Sequence, residues 1–457
     1  MAAHERVPMN DGEQPQRRKI VICGAGGRDF QDFNRCFRDD PMVEVVAFTA
    51  TQIPGIDDRR YPPELAGPHH RAGIPIRPER ELAEIVASAG VEEVVFSYSD
   101  VSHDHVMHLA SQALAAGASF RLLAPHQTMW PSDRPVVAVV ATRTGAGKSP
   151  ASRRVGHILR DAGLRIALVR HPMPYGDLGA MRVQRFATLA DIDAADPTIE
   201  EREEYEEPVR QGMVVFAGVD YEAILAAASE EADVIVWDGG NNDTPFFEPT
   251  ITVCVVDPLR PLDGHGYHPG ETNLLMADVI LVNKIDTATD DQIESAVADA
   301  TRLNPSARVV RARSPITLEP GPDLSGKRVL VVEDGPTLTH GGMAFGAGLV
   351  AARQAGASEI VDPRPWATRS IAATFEQFPH LGPVLPAMGY SDEQRDALGR
   401  TIRAAECDVV VTGTPMDLGR VVDIGHPSRH ARYVIEEVGR PDLHDVLLPL
   451  IEKQQPR

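Results

Sequence analysis

Pro135-Val136-Val137-Ala138-Val139-Val140-Ala141-Thr142-Arg143-Thr144-Gly145-Ala146-Gly147-Lys148-Ser149 is the stretch on which the fold class turns. Val136 to Val140 is a β-branched, apolar run of the kind that forms a strand buried on both faces. It enters a glycine turn that ends in Lys148-Ser149, and a helical stretch from Ser152 to Ala162 follows. Strand, glycine turn, Lys-Ser and helix is the order of a phosphate-binding P-loop. In such a loop the glycines let backbone N–H groups of Thr144, Gly145, Ala146 and Gly147 close on phosphate oxygens, and the helix N-terminus adds positive potential. Lys148 is expected to reach the outer phosphates and Ser149 to hold Mg2+. The usual pattern places glycine at 142, where this chain has threonine. The alternative reading is a strand-to-helix turn with a chance Gly-x-Gly-Lys-Ser.

Outward from this stretch, strands and helices alternate along nearly the whole chain, which predicts an α/β protein. With 457 residues the chain has room for several domains. Residues 1–17 read as a flexible tail, 18–131 as a Rossmann-like α/β domain, 132–318 as a central P-loop NTPase domain and 319–457 as a C-terminal α/β domain. No apolar run has the length of a membrane span. The net charge of −21 argues against nucleic acid and anionic membranes as partners. A cytoplasmic protein, a homo-oligomer with a small anionic substrate, is the expectation. Only five lysines occur, and two of them, Lys148 and Lys284, stand in nucleotide-type motifs. The four cysteines are scattered and predict free thiols.

In the first domain Lys19 to Cys23 reads as a strand that runs into Gly24-Ala25-Gly26-Gly27-Arg28-Asp29-Phe30. The dinucleotide fingerprint is only partial here, but Arg28 and Asp29 are candidates for contact with an anionic substrate. In the central domain a strand from Arg165 ends in Arg170-His171-Pro172-Met173-Pro174-Tyr175-Gly176-Asp177, which offers Arg170, His171 and Asp177 as catalytic candidates. Residues 191–207 are strongly acidic and read as a solvated helix or a mobile cover.

Two later strand ends complete a nucleotide site. Asp233-Val234-Ile235-Val236-Trp237-Asp238-Gly239-Gly240 resembles a Walker B segment, with Asp238 opposite Ser149 on Mg2+. Asn241 and Asn242 follow it as polar groups for a substrate, and His268 is a further candidate. Asp278-Val279-Ile280-Leu281-Val282-Asn283-Lys284-Ile285-Asp286 ends as guanine-specific GTPases do, with Asn283, Lys284 and Asp286 in the Asn-Lys-x-Asp order. An aspartate there accepts N1–H and N2–H of guanine, a donor pair that adenine lacks. In the third domain Glu333-Asp334-Gly335-Pro336-Thr337-Leu338-Thr339-His340-Gly341-Gly342 follows a strand. Its backbone and hydroxyls make Thr337, Thr339, His340 and Gly341 candidates for an anion nest.

The Gly24–Phe30 turn, the Arg170–Asp177 string, Trp237-Asp238-Gly239-Gly240-Asn241-Asn242-Asp243 and the Glu333–Gly342 turn together resemble the cyclic 2,3-diphosphoglycerate synthetase-like family, whose members are also described as predicted P-loop GTPases. The resemblance runs from about Lys19 to Gly439. It implies ATP-driven activation of a phosphorylated acid, whereas Asn283-Lys284-Ile285-Asp286 suggests GTP. The expected activity is therefore Mg2+-dependent phosphoryl transfer from ATP or GTP to a small phosphorylated or carboxylated acid, with release of NDP. The alternative is a regulatory or chaperone-type GTPase whose flanking domains bind a protein or a metal.

Overall fold

The computed structural model describes residues 17–50, 59–171, 176–240, 243–260, 266–339, 341–389 and 391–455. Three sheets organise them. The first has the strand order Arg60–Tyr61, Ile74–Pro78, Val43–Ala50, Arg18–Cys23, Glu93–Phe96 and Ser119–Leu122, and is parallel except at the Arg60–Tyr61 edge.

The second sheet has nine strands. In order they are Val183–Phe186, Val214–Gly218, Ile166–His171, Val234–Gly239, Val136–Ala141, Ile251–Val256, Val279–Val282, Arg308–Arg313 and Glu436–Val438. The inner strands run parallel, and the two outermost pair antiparallel. Val136–Ala141 lies in the middle, and all six of its residues are buried. A parallel strand covered by helices on both faces must be apolar throughout, which is why the run does not alternate.

The third sheet has the order Ile316–Leu318, Ser428–Tyr433, Val409–Gly413, Arg328–Asp334 and Glu359–Ile360, and Leu385–Ala387 also pairs with Arg328–Asp334. The architecture is mixed α/β, built on parallel sheets. The expected 319–457 unit is divided between two sheets. Strand Glu436–Val438 pairs with Arg308–Arg313, and the Leu443–Gln454 helix buries Leu443, Leu447 and Ile451 in the core of the nine-stranded sheet. The third sheet is thus inserted between two neighbouring edge strands of the second.

The acidic segment is not solvated. Helix Ile199–Arg210 has Glu200, Glu201, Glu203, Glu206 and Glu207 buried. Its charges are matched both within the helix and from far along the chain. Arg202 and Arg210 both pair with Glu206, Arg202 reaches Asp193 at 2.6 Å, and Arg432 pairs with Glu207. Ile199, Tyr205 and Val209 supply the apolar contacts. A capping box between Thr198 and Glu201 fixes the start of the helix.

Cys23 and Cys254 are buried, Cys36 and Cys407 are half-buried, and all four are free thiols. Among the described residues no helix is long and apolar enough to cross a membrane.

Candidate functional site

The helix after the glycine turn spans Lys148–Asp161, starting four residues earlier than the sequence pattern suggested. Gly147 at its N-cap has φ 107° and Gly145 has φ 81°, a left-handed region that side chains resist. Gly147 also has no room for one, because a Cβ there would fall 2.2 Å from Asn283 Nδ2. Thr142 needs no such freedom. It is buried at the end of the strand, its N–H donates to Val255 O, and it is not among the described residues with positive φ. Space beside it comes from Gly270, whose Cβ would meet Thr142 O at 2.2 Å. The departure from the usual motif is thereby accommodated.

Three strand ends converge on this turn. Asp238 is fully buried at the end of Val234–Gly239, and Lys148 Nζ lies 2.9 Å from its Oδ1. Arg170, one strand over, pairs with Asp238 Oδ2 and also with Glu204. Its two terminal nitrogens stand 3.4 Å from Ser149 Oγ. Burial lowers the guanidinium of Arg170 to about 9, so it stays charged at neutral pH. A positive group thus lies between the Ser149 hydroxyl and the Asp238 carboxylate. Oxygen donors arranged around a cation suit a hard divalent ion, and these two residues fit Mg2+.

Asn283 and Lys284 serve the loop itself. Asn283 Nδ2 donates to Ala146 O at 3.0 Å, and Lys284 Nζ donates to Gly145 O at 2.6 Å and to Asp257 Oδ2 at 2.8 Å. Asp286 is exposed and accepts from Ser314 N at 2.9 Å. The order Asn, Lys, Asp thus braces the phosphate turn with its first two members and presents the third beside Ser314.

A cleft runs between this turn and the third sheet. Gly145, Lys148, Ser149 and Lys284 line it from the nine-stranded sheet, Asp334, Thr337 and Tyr433 from the third sheet, and Glu203 from the Ile199–Arg210 helix. Arg260 ties the walls together, donating to Thr144 O at 2.9 Å and to Gly341 O at 3.0 Å.

The other candidates fall in several places. Thr337 lines the cleft, but its hydroxyl donates to Asp334 Oδ2 at 2.9 Å. Thr339 is buried, with its hydroxyl on Gly335 O. Neither hydroxyl forms the expected anion nest, because each is used within its own turn. Asp177 is exposed and accepts the N–H groups of Gly179 and Ala180, so it closes a local turn. Arg28 is buried against Thr244, Thr128 and Asp32, and Asp29 accepts from Gly26, Gly27 and Phe30. Asp29 therefore holds the first glycine turn together, and Arg28 ties its helix to Thr128 and Thr244. His268 is half-buried in a two-residue ladder with Val101 and Ser102, and desolvation lowers its ring to about 4. His171 sits beside the Arg170 end of the site, with Nδ1 2.6 Å from Asp243 Oδ2. Burial acts to raise the Asp243 carboxyl, but His171 and Arg28 hold it below the ordinary range. Asn241, Asn242, His340, and Pro172 to Tyr175 lie outside the described residues.

Sequence reasoning missed Glu203, Glu204, Asp257 and Arg260. An opposite-charge pair right after a strand, Asp257 and Arg260 in Asp257-Pro258-Leu259-Arg260, was the available signal for the last two.

The buried carboxyls predict an unusual pH dependence. Glu333 accepts three backbone N–H groups, yet burial raises it to about 7, and burial likewise raises Glu200 and Asp29 to about 7 and Asp32 to about 6. Their folded values exceed those of an unfolded chain, so the unfolded state gives up its protons first. The stabilisation is complete below about pH 4 and is lost as pH rises to about 7, with each group contributing on the order of 1 kcal/mol or more. The urea midpoint is expected to be lower at pH 8 than at pH 5.5. A midpoint that rises over this interval would contradict the assignment.

No family model matches the chain. It is 55% identical over 434 residues to the arginine synthetase ArcE of Thermococcus kodakarensis, a likeness that covers 95% of this chain and 97% of that protein. Among solved structures it is similar to LpxK from Aquifex aeolicus in complex with ATP, at 13% identity, with 71% of this chain and 90% of that chain covered and a TM-score of 0.43. For the hydrogenase maturation factor HypB from Archaeoglobus fulgidus the figures are 17%, 39%, 81% and 0.26. Likenesses that distant carry no argument about activity.

Proposed function

The chain belongs to the family of the arginine synthetase ArcE, and from that premise we propose that it is an NTP-driven synthetase that completes the guanidinium group of arginine. The observation that carries this reading is the 55% identity across 95% of the chain. The pairing of Lys148 and Arg170 with the buried Asp238, and the approach of Arg170 to Ser149 Oγ, support it.

Chemistry connects the two. A P-loop enzyme moves a γ-phosphoryl group to an acceptor. A guanidinium differs from a ureido group by nitrogen in place of oxygen, so the acceptor is the ureido oxygen of citrulline. Phosphorylation converts that oxygen into a leaving group, and an ammonia nitrogen then replaces it on carbon. Lys148 neutralises charge on the transferring phosphoryl, and the glycine turn holds the nucleotide in line. Ser149 and Asp238 are the residues that would hold Mg2+, which when bound supplies charge neutralisation on the phosphates. The cyclic 2,3-diphosphoglycerate reaction suggested by the resemblance shares phosphoryl transfer to a small acid and differs in the nucleophile that follows.

The test is to supply ATP or GTP, ammonium and citrulline and to measure arginine and NDP together. Equimolar appearance of both is expected. Release of NDP that depends on 2,3-bisphosphoglycerate and ignores citrulline would overturn the reading.

A preference for GTP would rest on Asp286, the exposed last member of the Asn283-Lys284-Ile285-Asp286 order. Asp286→Ala is expected to reduce the preference for GTP over ATP by about 10-fold or more, the value of one or two lost hydrogen bonds to a charged group. Competition between the nucleotides, read as the ratio of kcat/KM, checks this. An unchanged ratio assigns the base site elsewhere.

A further inference from the structure

Glu203 is a cleft residue whose chemistry the phosphoryl-transfer step leaves unused. It is 7% exposed and lines the same cleft as Lys148 and Ser149. Its Oε1 is buried without a hydrogen-bond partner among the described residues. Each of the other carboxylates around it has a partner on at least one oxygen, although Glu200 Oε2 has none among the described residues. Glu204, the next residue, pairs with Arg170; Glu200 accepts from Gly389 N at 3.0 Å; Asp334 accepts from Thr337; Glu333 caps the Ala347–Gln354 helix. Tyr433 closes the wall from the third sheet.

A buried carboxylate surrounded by like charges calls for a cation as ligand. A divalent metal does not suit the place. Among the described residues, Glu203 and its acidic neighbours are not gathered to chelating distance, and the cluster that is so gathered lies elsewhere, at Asp442, His444 and Asp445. The nearby cations Lys148 and Arg170 are already committed to Asp238. A small monovalent cation with N–H donors fits.

Resting on the arginine-forming reading, we propose that Glu203 binds the ammonium ion and takes its proton, so that neutral ammonia attacks the phosphorylated ureido carbon. Ammonium has no lone pair and is the dominant form at neutral pH, so the reaction needs such a base. The step balances. Phosphorylation of the ureido oxygen releases one N–H proton to solvent. Ammonium gives a proton to the carboxylate, and the nitrogen lone pair forms the new C–N bond. The C–O bond breaks, and its electron pair leaves with phosphate, which picks up one proton from the incoming nitrogen. The Glu203 proton then passes to the guanidine, and the restored carboxylate pairs with the guanidinium product. Burial and the charges of Asp334 and Glu200 raise the proton affinity of Glu203 well above that of an ordinary glutamate, the direction a base for ammonium needs.

The test compares Glu203→Gln with the unaltered protein, using ammonium or hydroxylamine as nucleophile. Hydroxylamine is largely neutral at pH 7 and needs no base. Ammonium-dependent arginine formation is expected to fall by about 10²–10⁴-fold, and hydroxyarginine formation from hydroxylamine by less than about 5-fold. Nucleotide affinity, measured by equilibrium dialysis, stays within about 2-fold and reports that the cleft is intact. Equal losses with both nucleophiles, or no loss with ammonium, overturn the assignment. If the unaltered protein forms neither product, the arginine-forming reading falls, and this assignment with it.

Discussion

Lys148→Ala is expected to cut nucleotide-dependent turnover by about 10³-fold or more while the protein still folds. The size follows from removing one preorganised positive donor from a water-poor phosphoryl-transfer site, where each such donor is worth about 10²–10³. The survival of the fold follows from geometry. Asp238 is fully buried and loses its 2.9 Å partner, but Arg170 remains on its other oxygen, so no buried charge is left alone. Coupled NDP release and the urea transition are the two measurements. Undiminished turnover in a folded variant would remove Lys148 from the mechanism.

Asp238→Asn has the larger effect on stability. Lys148 then faces a neutral amide in a buried setting, while Arg170 keeps only Glu204. Breaking a buried pair from one side costs about 3–5 kcal/mol. The midpoint of thermal unfolding is expected to fall clearly, and turnover is expected to fall by about 10³-fold. The contrast between the variants is the diagnostic result. Removing the cation spares stability, whereas removing the anion does not. Equal unfolding midpoints for the two variants would mean that the Asp238 cluster carries little of the fold.

How much of this could be read from sequence depends on how local each signal is. The P-loop was legible because strand, glycines, Lys148-Ser149 and helix are contiguous, and the helix at Lys148–Asp161 follows from that order. Asp238 and Asn283 were legible because parallel strands end at the same edge of a sheet, so residues after each strand meet. The acidic helix was misread because composition reports charge and not its partners. Those partners, Asp193, Gly389, Asp417 and Arg432, lie up to 225 residues away. Arg28 and Asp29 were legible as members of a turn, but what they bind inside it depends on Thr128 and Thr244, which nothing local announces. Strand Glu436–Val438 is three residues long and pairs antiparallel at an edge, too short for any periodicity to show.

That short strand has a consequence for how the chain is made. The nine-stranded sheet draws its eighth strand from residues 308–313 and its ninth from 436–438, with the whole third sheet spelled out between them. During synthesis from the N-terminus, the unit that holds the P-loop emerges early, but its Arg308–Arg313 edge waits uncovered until more than a hundred further residues have been translated. Its core also waits for Leu443, Leu447 and Ile451. Completion of the nucleotide-binding unit is therefore a late event on the ribosome, and a chain halted within the third sheet carries the full P-loop sequence without the finished sheet that supports it.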